Sequence, residues 1–286
     1  MRALSALCAL VFVAAAAAPT VASAHPSVSV VMDSKGNVFY SDLNRVWMLA
    51  PDGQKSIAVP NVHSHELFID RNDNLYGEHL WYTGSTKKWS HRVWKREPDG
   101  TISDVIPVTE GFREDYSFVR DTAGSMYLKA LHRPLQITKR SASGTTTVLS
   151  SGPFSDIRWM VAGNDGALYL VDSVHLKKIL PDGRVVILAP SIASRSVSRL
   201  NVGARHAVMG LWMDGRANVY AANYGAGSVK RVSPSGDVSV VDNSAFPWSP
   251  TGGMVAPNGD LYILEASVIN EVRLKRIGHD GSVRYF

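Results

Sequence analysis

Between Ser27 and Phe286 the chain repeats one pattern six times: an apolar run, a polar turn, a short strand marked by an aromatic residue, and a second turn. The aromatic positions are Phe39, Tyr76, Tyr127, Tyr169, Tyr220 and Tyr262, spaced by 37, 51, 42, 51 and 42 residues. Turn chemistry precedes each, as in Lys35-Gly36-Asn37, Asp165-Gly166-Ala167 and Asn258-Gly259-Asp260. A second turn follows in every unit: Pro51-Asp52-Gly53, Pro98-Asp99-Gly100, Ala142-Ser143-Gly144, Pro181-Asp182-Gly183, Pro234-Ser235-Gly236 and His279-Asp280-Gly281. Two turns per unit and a period of about 40 to 50 residues point to radially repeated four-stranded sheets. The expected fold class is all-β: a six-bladed β-propeller of four-stranded antiparallel blades.

Unit two shows the strand logic. Leu67-Phe68-Ile69 is a short apolar run, and Asp70 to Asn74 has hairpin-turn chemistry. Leu75-Tyr76 begins the next strand, and a long connection is expected before Arg92-Val93-Trp94-Lys95-Arg96, whose alternation suits a half-buried strand. Carried through the chain, this reading places blades at about 27–59, 65–106, 115–149, 156–188, 206–241 and 252–286, in one domain of residues 25–286. The last unit ends in phase at Phe286. Closure is therefore expected by packing blade six on blade one, with no strand borrowed from the N-terminus.

Residues 1–24 read as a cleavable signal peptide. Arg2 precedes an apolar stretch from Ala3 to Ala18, and Ala22-Ser23-Ala24 offers a small-residue cleavage site before His25. The protein is thus expected to be secreted or periplasmic. The stretch is short for a membrane span, so no membrane insertion is expected. Cys8 is the only cysteine, which leaves the mature chain without a disulfide. The formal charge of +5 is spread over 30 basic and 25 acidic residues without a basic stripe. Nucleic acid is therefore not an expected partner. A monomer is expected.

In such a blade the first and third turns lie on one face, while the second turn and the blade-to-blade connections lie on the other. The first set is uniformly short here. The second is variable, and variable loops are where function concentrates. His63, His65, His79, His91, His132, His175 and His206 all map to that face or its edges. The densest group is His63-Ser64-His65-Glu66, followed by Glu78-His79 and then Trp81, Tyr82, Trp89 and His91. Imidazoles and carboxylates at a channel mouth serve a divalent-metal site or an acid–base pair. Each also has a plain reading as an inter-blade hydrogen-bonding group. The expected catalytic residues are His65, Glu66, Glu78 and Arg158. His65, His79 and His206 are the expected ligands of a divalent metal, calcium or zinc. Tyr116, Trp81, Trp89, Arg205 and Asn223 are the expected ligand-binding residues. Arg158 and Arg205 suit a substrate carboxylate or phosphate, although they can equally pair with Asp156 or Glu114.

With these turns and aromatics the chain resembles the six-bladed NHL-repeat propellers and the related senescence-marker-protein/gluconolactonase group. The resemblance spans all six units. Propellers of this kind include lactonases, lyases, synthases and binding platforms, so function rests on the site. The gluconolactonase-like enzymes hold a divalent metal with a Glu before the first inner strand and an Asn and an Asp from later blades. Here blade one opens His25-Pro26-Ser27-Val28 without an acid, and the comparable offset in blade two holds His65 beside Glu66. A histidine-rich channel is more similar to the peptidyl-hydroxyglycine lyases and virginiamycin B lyase, propellers that use His and a metal. Two functions are therefore expected. One is a divalent-metal-assisted hydrolase or lyase acting on a small organic substrate. The other is a non-catalytic platform that binds a peptide, glycan or protein through Trp81, Tyr82, Trp89 and Phe246-Pro247-Trp248.

Overall fold

The first turn of a blade is closed by a side chain as well as by backbone. Asp70 accepts hydrogen bonds from the backbone of Asn72 and Asn74, and from the Asn74 side chain at 3.0 Å. Asp33 and Asp214 do the same for Asn37 and Asn218. The second oxygen also takes the hydroxyl of the aromatic that follows: Tyr76 on Asp70 at 3.0 Å, Tyr127 on Asp121 at 3.1 Å, Tyr169 on Asp165 at 2.9 Å and Tyr220 on Asp214 at 3.1 Å. A cation from the third strand completes the clamp in blades three, four and six. Lys139, Lys178 and Arg276 each pair with the turn carboxylate and lie over the neighbouring tyrosine ring. Burial, and then Asp214, pushes the Tyr220 hydroxyl up to about 12, so it stays a donor.

A computed structural model describes residues 26–113, 115–130, 133–193 and 207–286. Their strands form six antiparallel sheets, each with its strands in chain order. The six-bladed propeller is thus observed. Blade two comprises Leu67–Ile69, Leu75–Thr83, Lys88–Arg96 and Ile102–Glu110. Blade three keeps only Met126–Lys129, Ile137–Arg140 and Thr146–Ser150 as full strands. Its innermost strand is reduced to a bridge between Arg120 and Met126. No helix among the described residues is long and apolar enough to cross a membrane.

Burial follows the ring. Apolar clusters fill the gaps between blades, as where Tyr169, Leu176 and Ile192 of blade four meet Val208, Val219 and Ala221 of blade five. Blade six is complete from its own residues, Trp248–Val255, Leu261–Ser267, Val272–Ile277 and Val283–Tyr285. It seals against blade one, where Phe286 joins Val30, Tyr40, Leu264 and Leu274. Ser29 also bridges Gly253 in parallel. At this seam the backbones nearly touch: a Cβ on Gly252 would lie 1.7 Å from the Val28 carbonyl oxygen.

One expectation needs correction. The stretch after Tyr76 is not a long connection but an extended hairpin, paired without a break from Leu75–Arg96 to Thr83–Lys88. Glu78, His79, Trp81, Trp89 and His91 therefore stand on strands, which fixes their spacing. His175 opens the strand His175–Ile179, at the edge of its loop.

Gly252→Ala should cost roughly 1–3 kcal/mol, the range for forced overpacking, because the facing group is backbone. Gly215→Ala, where an added Cβ meets nothing within 4 Å, should stay within about 0.5 kcal/mol of wild type when both variants are unfolded in a urea titration.

Candidate functional site

Glu78 is the hub of blade two. It follows Gly77, whose missing side chain lets the buried Trp94 ring cross the strand; a Cβ there would sit 2.2 Å from Trp94 Cζ2. The Trp94 indole then donates to the Glu78 carbonyl oxygen at 2.9 Å, and Ser64 Oγ donates to the same oxygen. With its backbone held, the Glu78 carboxylate faces two imidazoles. His65 Nδ1 lies 3.1 Å from Oε1, and His91 Nε2 lies 3.3 Å from Oε2. The first is a hydrogen bond, whereas the second lies off hydrogen-bond geometry and is an electrostatic contact. Burial alone would raise the Glu78 carboxyl, but His65 and His91 outweigh it and bring it to about 2. Glu78 is therefore ionised at neutral pH.

His63 and His79 form a separate pair. The His63 backbone N–H donates to His79 Nδ1 at 2.8 Å, and the His79 ring stacks on Trp81 with centroids 4.6 Å apart. Burial lowers both, helped by the neighbouring His65 for His63 and by Arg92 for His79. Both imidazoles are neutral at neutral pH.

Glu66 occupies different surroundings. It lines the central channel, about 200 Å³, together with Val30, Val119, Trp159, Leu211 and Gly253. It also lines a neighbouring cavity of about 160 Å³ with Arg113, Tyr116, Ser117, Lys129 and Arg158. Encircling protein, and then the negative charge of Glu78, raise its carboxyl to about 7, against the smaller opposing pull of Lys129 and His65. Lys129 is itself lowered by burial, with Glu66 opposing. Its ammonium donates to the Arg158 carbonyl oxygen at 3.0 Å. The Arg158 guanidinium pairs with Asp156.

The other expected residues scatter. Tyr116 lines the Glu66 cavity and meets Phe118 edge-on at 5.3 Å. Trp81 and Trp89 belong to the hairpin, beside a groove of about 580 Å³ walled by Asn44, Arg45, His63 and His79. Trp89 packs between Tyr82 and Phe112, at 5.4 and 5.3 Å. Asn223 is buried in blade five, where the strand Val219–Asn223 meets a short 3-10 turn. It lines neither cavity beside Glu66. Arg205, His206, Glu114 and His132 lie outside the described residues. Three other acids serve the scaffold. Asp172 holds Lys177 at 2.6 Å and the backbone of Ser155, Glu265 holds Arg273 at 2.6 Å, and Asp42 takes the Trp47 indole at 2.8 Å.

Lys129 escaped the sequence reading. Its only signal is a lysine ending the strand Met126–Lys129 after three buried residues. As for a metal, no three His, Asp, Glu or Cys side chains among the described residues come together as ligands. His65 faces Glu78, His79 faces His63, and the expected third ligand, His206, is not described.

No protein-family model matches this chain, and no curated protein matches it in sequence. Solved structures match its fold. A streptogramin B lyase is 15% identical with a TM-score of 0.57, over 92% of this chain and 84% of that one. The calcium-binding protein regucalcin from Agrobacterium tumefaciens str. C58 is 14% identical with a TM-score of 0.55, over 84% and 81%. A gluconolactonase from Xanthomonas campestris is 10% identical with a TM-score of 0.56, over 84% and 83%. At such identities the likeness is one of fold, shared by a lyase, a calcium-binding protein and a lactonase alike.

Proposed function

We propose that this protein is an enzyme of the hydrolase or lyase type that runs acid–base chemistry on a small organic substrate at the channel mouth. The observation that carries the proposal is Glu66: a carboxyl raised to about 7 that lines both the channel and an adjoining cavity. Near neutral pH it is divided between acid and base, the condition under which proton transfer in either direction is efficient. Its chain neighbour His65 spends Nδ1 on Glu78, which leaves Nε2 without a hydrogen bond among the described residues. Glu78, held near 2, orients that imidazole and carries no proton itself. Lys129 adds positive charge where an anionic intermediate would develop. Glu66 in this setting serves water activation on an ester or lactone and proton abstraction in an elimination. The likeness to a lyase and a gluconolactonase supports this reading.

The second reading, a binding platform, has its own observation. Tyr82, Trp89 and Phe112 form a contiguous aromatic run and are 51, 42 and 62% exposed beside the hairpin groove. Such a surface suits a glycan or an extended peptide.

We also infer export from Ala3 to Ala18 and Ala22-Ser23-Ala24. N-terminal sequencing of the exported protein should begin at His25, and a retained Met1 would overturn this.

Carbon-13 NMR, with Glu66→Gln as the assignment control, should show Glu66 titrating near 7; a midpoint near the ordinary 4.5 would overturn the acid–base reading. Stability gives the matching sign. With its folded-state pKa raised, Glu66 favours the folded state fully below about 4.5, and this contribution is lost as pH rises through 7. Glu66→Gln should therefore gain on wild type progressively above pH 5, by on the order of 3 kcal/mol once pH reaches 8.

A further inference from the structure

Four charged side chains line the cavity beside Glu66, and three of them are cations. Two of the cations are already paired. Arg113 forks onto Asp115 with Nε at 2.8 Å and Nη2 at 2.5 Å, and Arg158 binds Asp156. Lys129 differs. Among the described residues Lys129 makes no ion pair with a carboxylate, and its one hydrogen bond goes to the Arg158 carbonyl oxygen. An ammonium has three donors, so two are unspent. Around it stand Tyr116 and Ser117, while Leu128, Val119, Trp159 and Met160 supply apolar wall.

A desolvated cation with unspent donors attracts an anion, and Glu66 is the facing carboxyl of the cavity. We propose, building on the acid–base reading above, that Lys129 anchors a carboxylate of the substrate. The substrate class is then a small organic acid, or an ester or lactone that carries a carboxylate, with its reacting carbon set beside Glu66. A cavity of about 160 Å³ takes the carboxylate and a few carbons, and the channel of about 200 Å³, which Glu66 also lines, receives the remainder. The apolar wall favours a carboxylate on a hydrocarbon body over inorganic phosphate. Lys129 acts as a substrate-binding residue and Glu66 as the proton carrier. The two roles separate under mutation.

Calorimetric titration of the full mature chain tests this with acetate, lactate and benzoate, their neutral amides, and inorganic phosphate. The carboxylates should bind at least tenfold more tightly than the amides. Lys129→Met should weaken carboxylate binding at least tenfold, with a thermal melt to confirm that the variant folds. Lys129→Arg should keep part of the affinity. Glu66→Gln should bind carboxylates as tightly as wild type or tighter, because it removes the facing negative charge. Equal binding of acids and amides, or wild-type affinity in Lys129→Met, would overturn the proposal, and tighter binding of phosphate would overturn the carboxylate assignment. The two readings fail separately. A Glu66 titration near 7 with no carboxylate binding removes only the anchor, whereas Lys129-dependent binding with Glu66 near 4.5 removes only the acid–base role.

Discussion

The turn carboxylate that holds the next aromatic is the interaction on which the ring depends. In blades two, three, four and five an aspartate closes the first hairpin and takes a tyrosine hydroxyl with its second oxygen. In blades three, four and six a cation from the third strand pairs with that carboxylate and covers the ring. One residue thereby fixes a turn, a side chain and the neighbouring strand. Each such net bond is worth only about 1 kcal/mol, or somewhat more where charged, but the device recurs around the circle. Its polar groups are spent on one another. The face that carries it is scaffold, and the chemistry is left to the other face and the channel.

At the channel mouth the electrostatics separate two carboxyls that stand close in the chain and in space. Glu78 accepts from His65 beside His91 and falls to about 2; Glu66, encircled by protein with Glu78 nearby, rises to about 7. Neither value stands alone, since the charge on Glu78 is one cause of the rise at Glu66. Two like groups pushed apart in this way take different tasks, one fixed as an anion and one free to exchange a proton. The rigid strands around Glu78 make the difference durable, because Gly77, Trp94 and Ser64 pin its backbone.

Much of the fold was legible because a propeller writes itself locally. Turn, strand and aromatic recur within each unit, and Phe286 ends in phase with the sixth. The hairpin of blade two was misread because its turn, Gly84 to Lys87, lacks a short two-residue hairpin signature and its strands run nine residues each. At the site, His65, Glu66 and Glu78 could be grouped from spacing, since all belong to one blade. Lys129 and Arg158 come from blades three and four, and their approach to Glu66 is set by ring geometry that no local pattern encodes. Partners were hidden for the same reason. Asp172 and Glu265 carry no local sign of their partners, because it is strand register that brings Lys177 and Arg273 to them.

The central claim is that the cavity shared by Glu66 and Lys129 is where this propeller meets its substrate. A crystallographic fragment screen tests that most directly, since it asks where small acids settle without assuming a reaction. The account expects carboxylate-bearing fragments to collect beside Glu66, with an oxygen on Lys129 Nζ. Fragments gathering instead in the hairpin groove of Trp81 and Trp89, with that cavity holding only solvent, would contradict it.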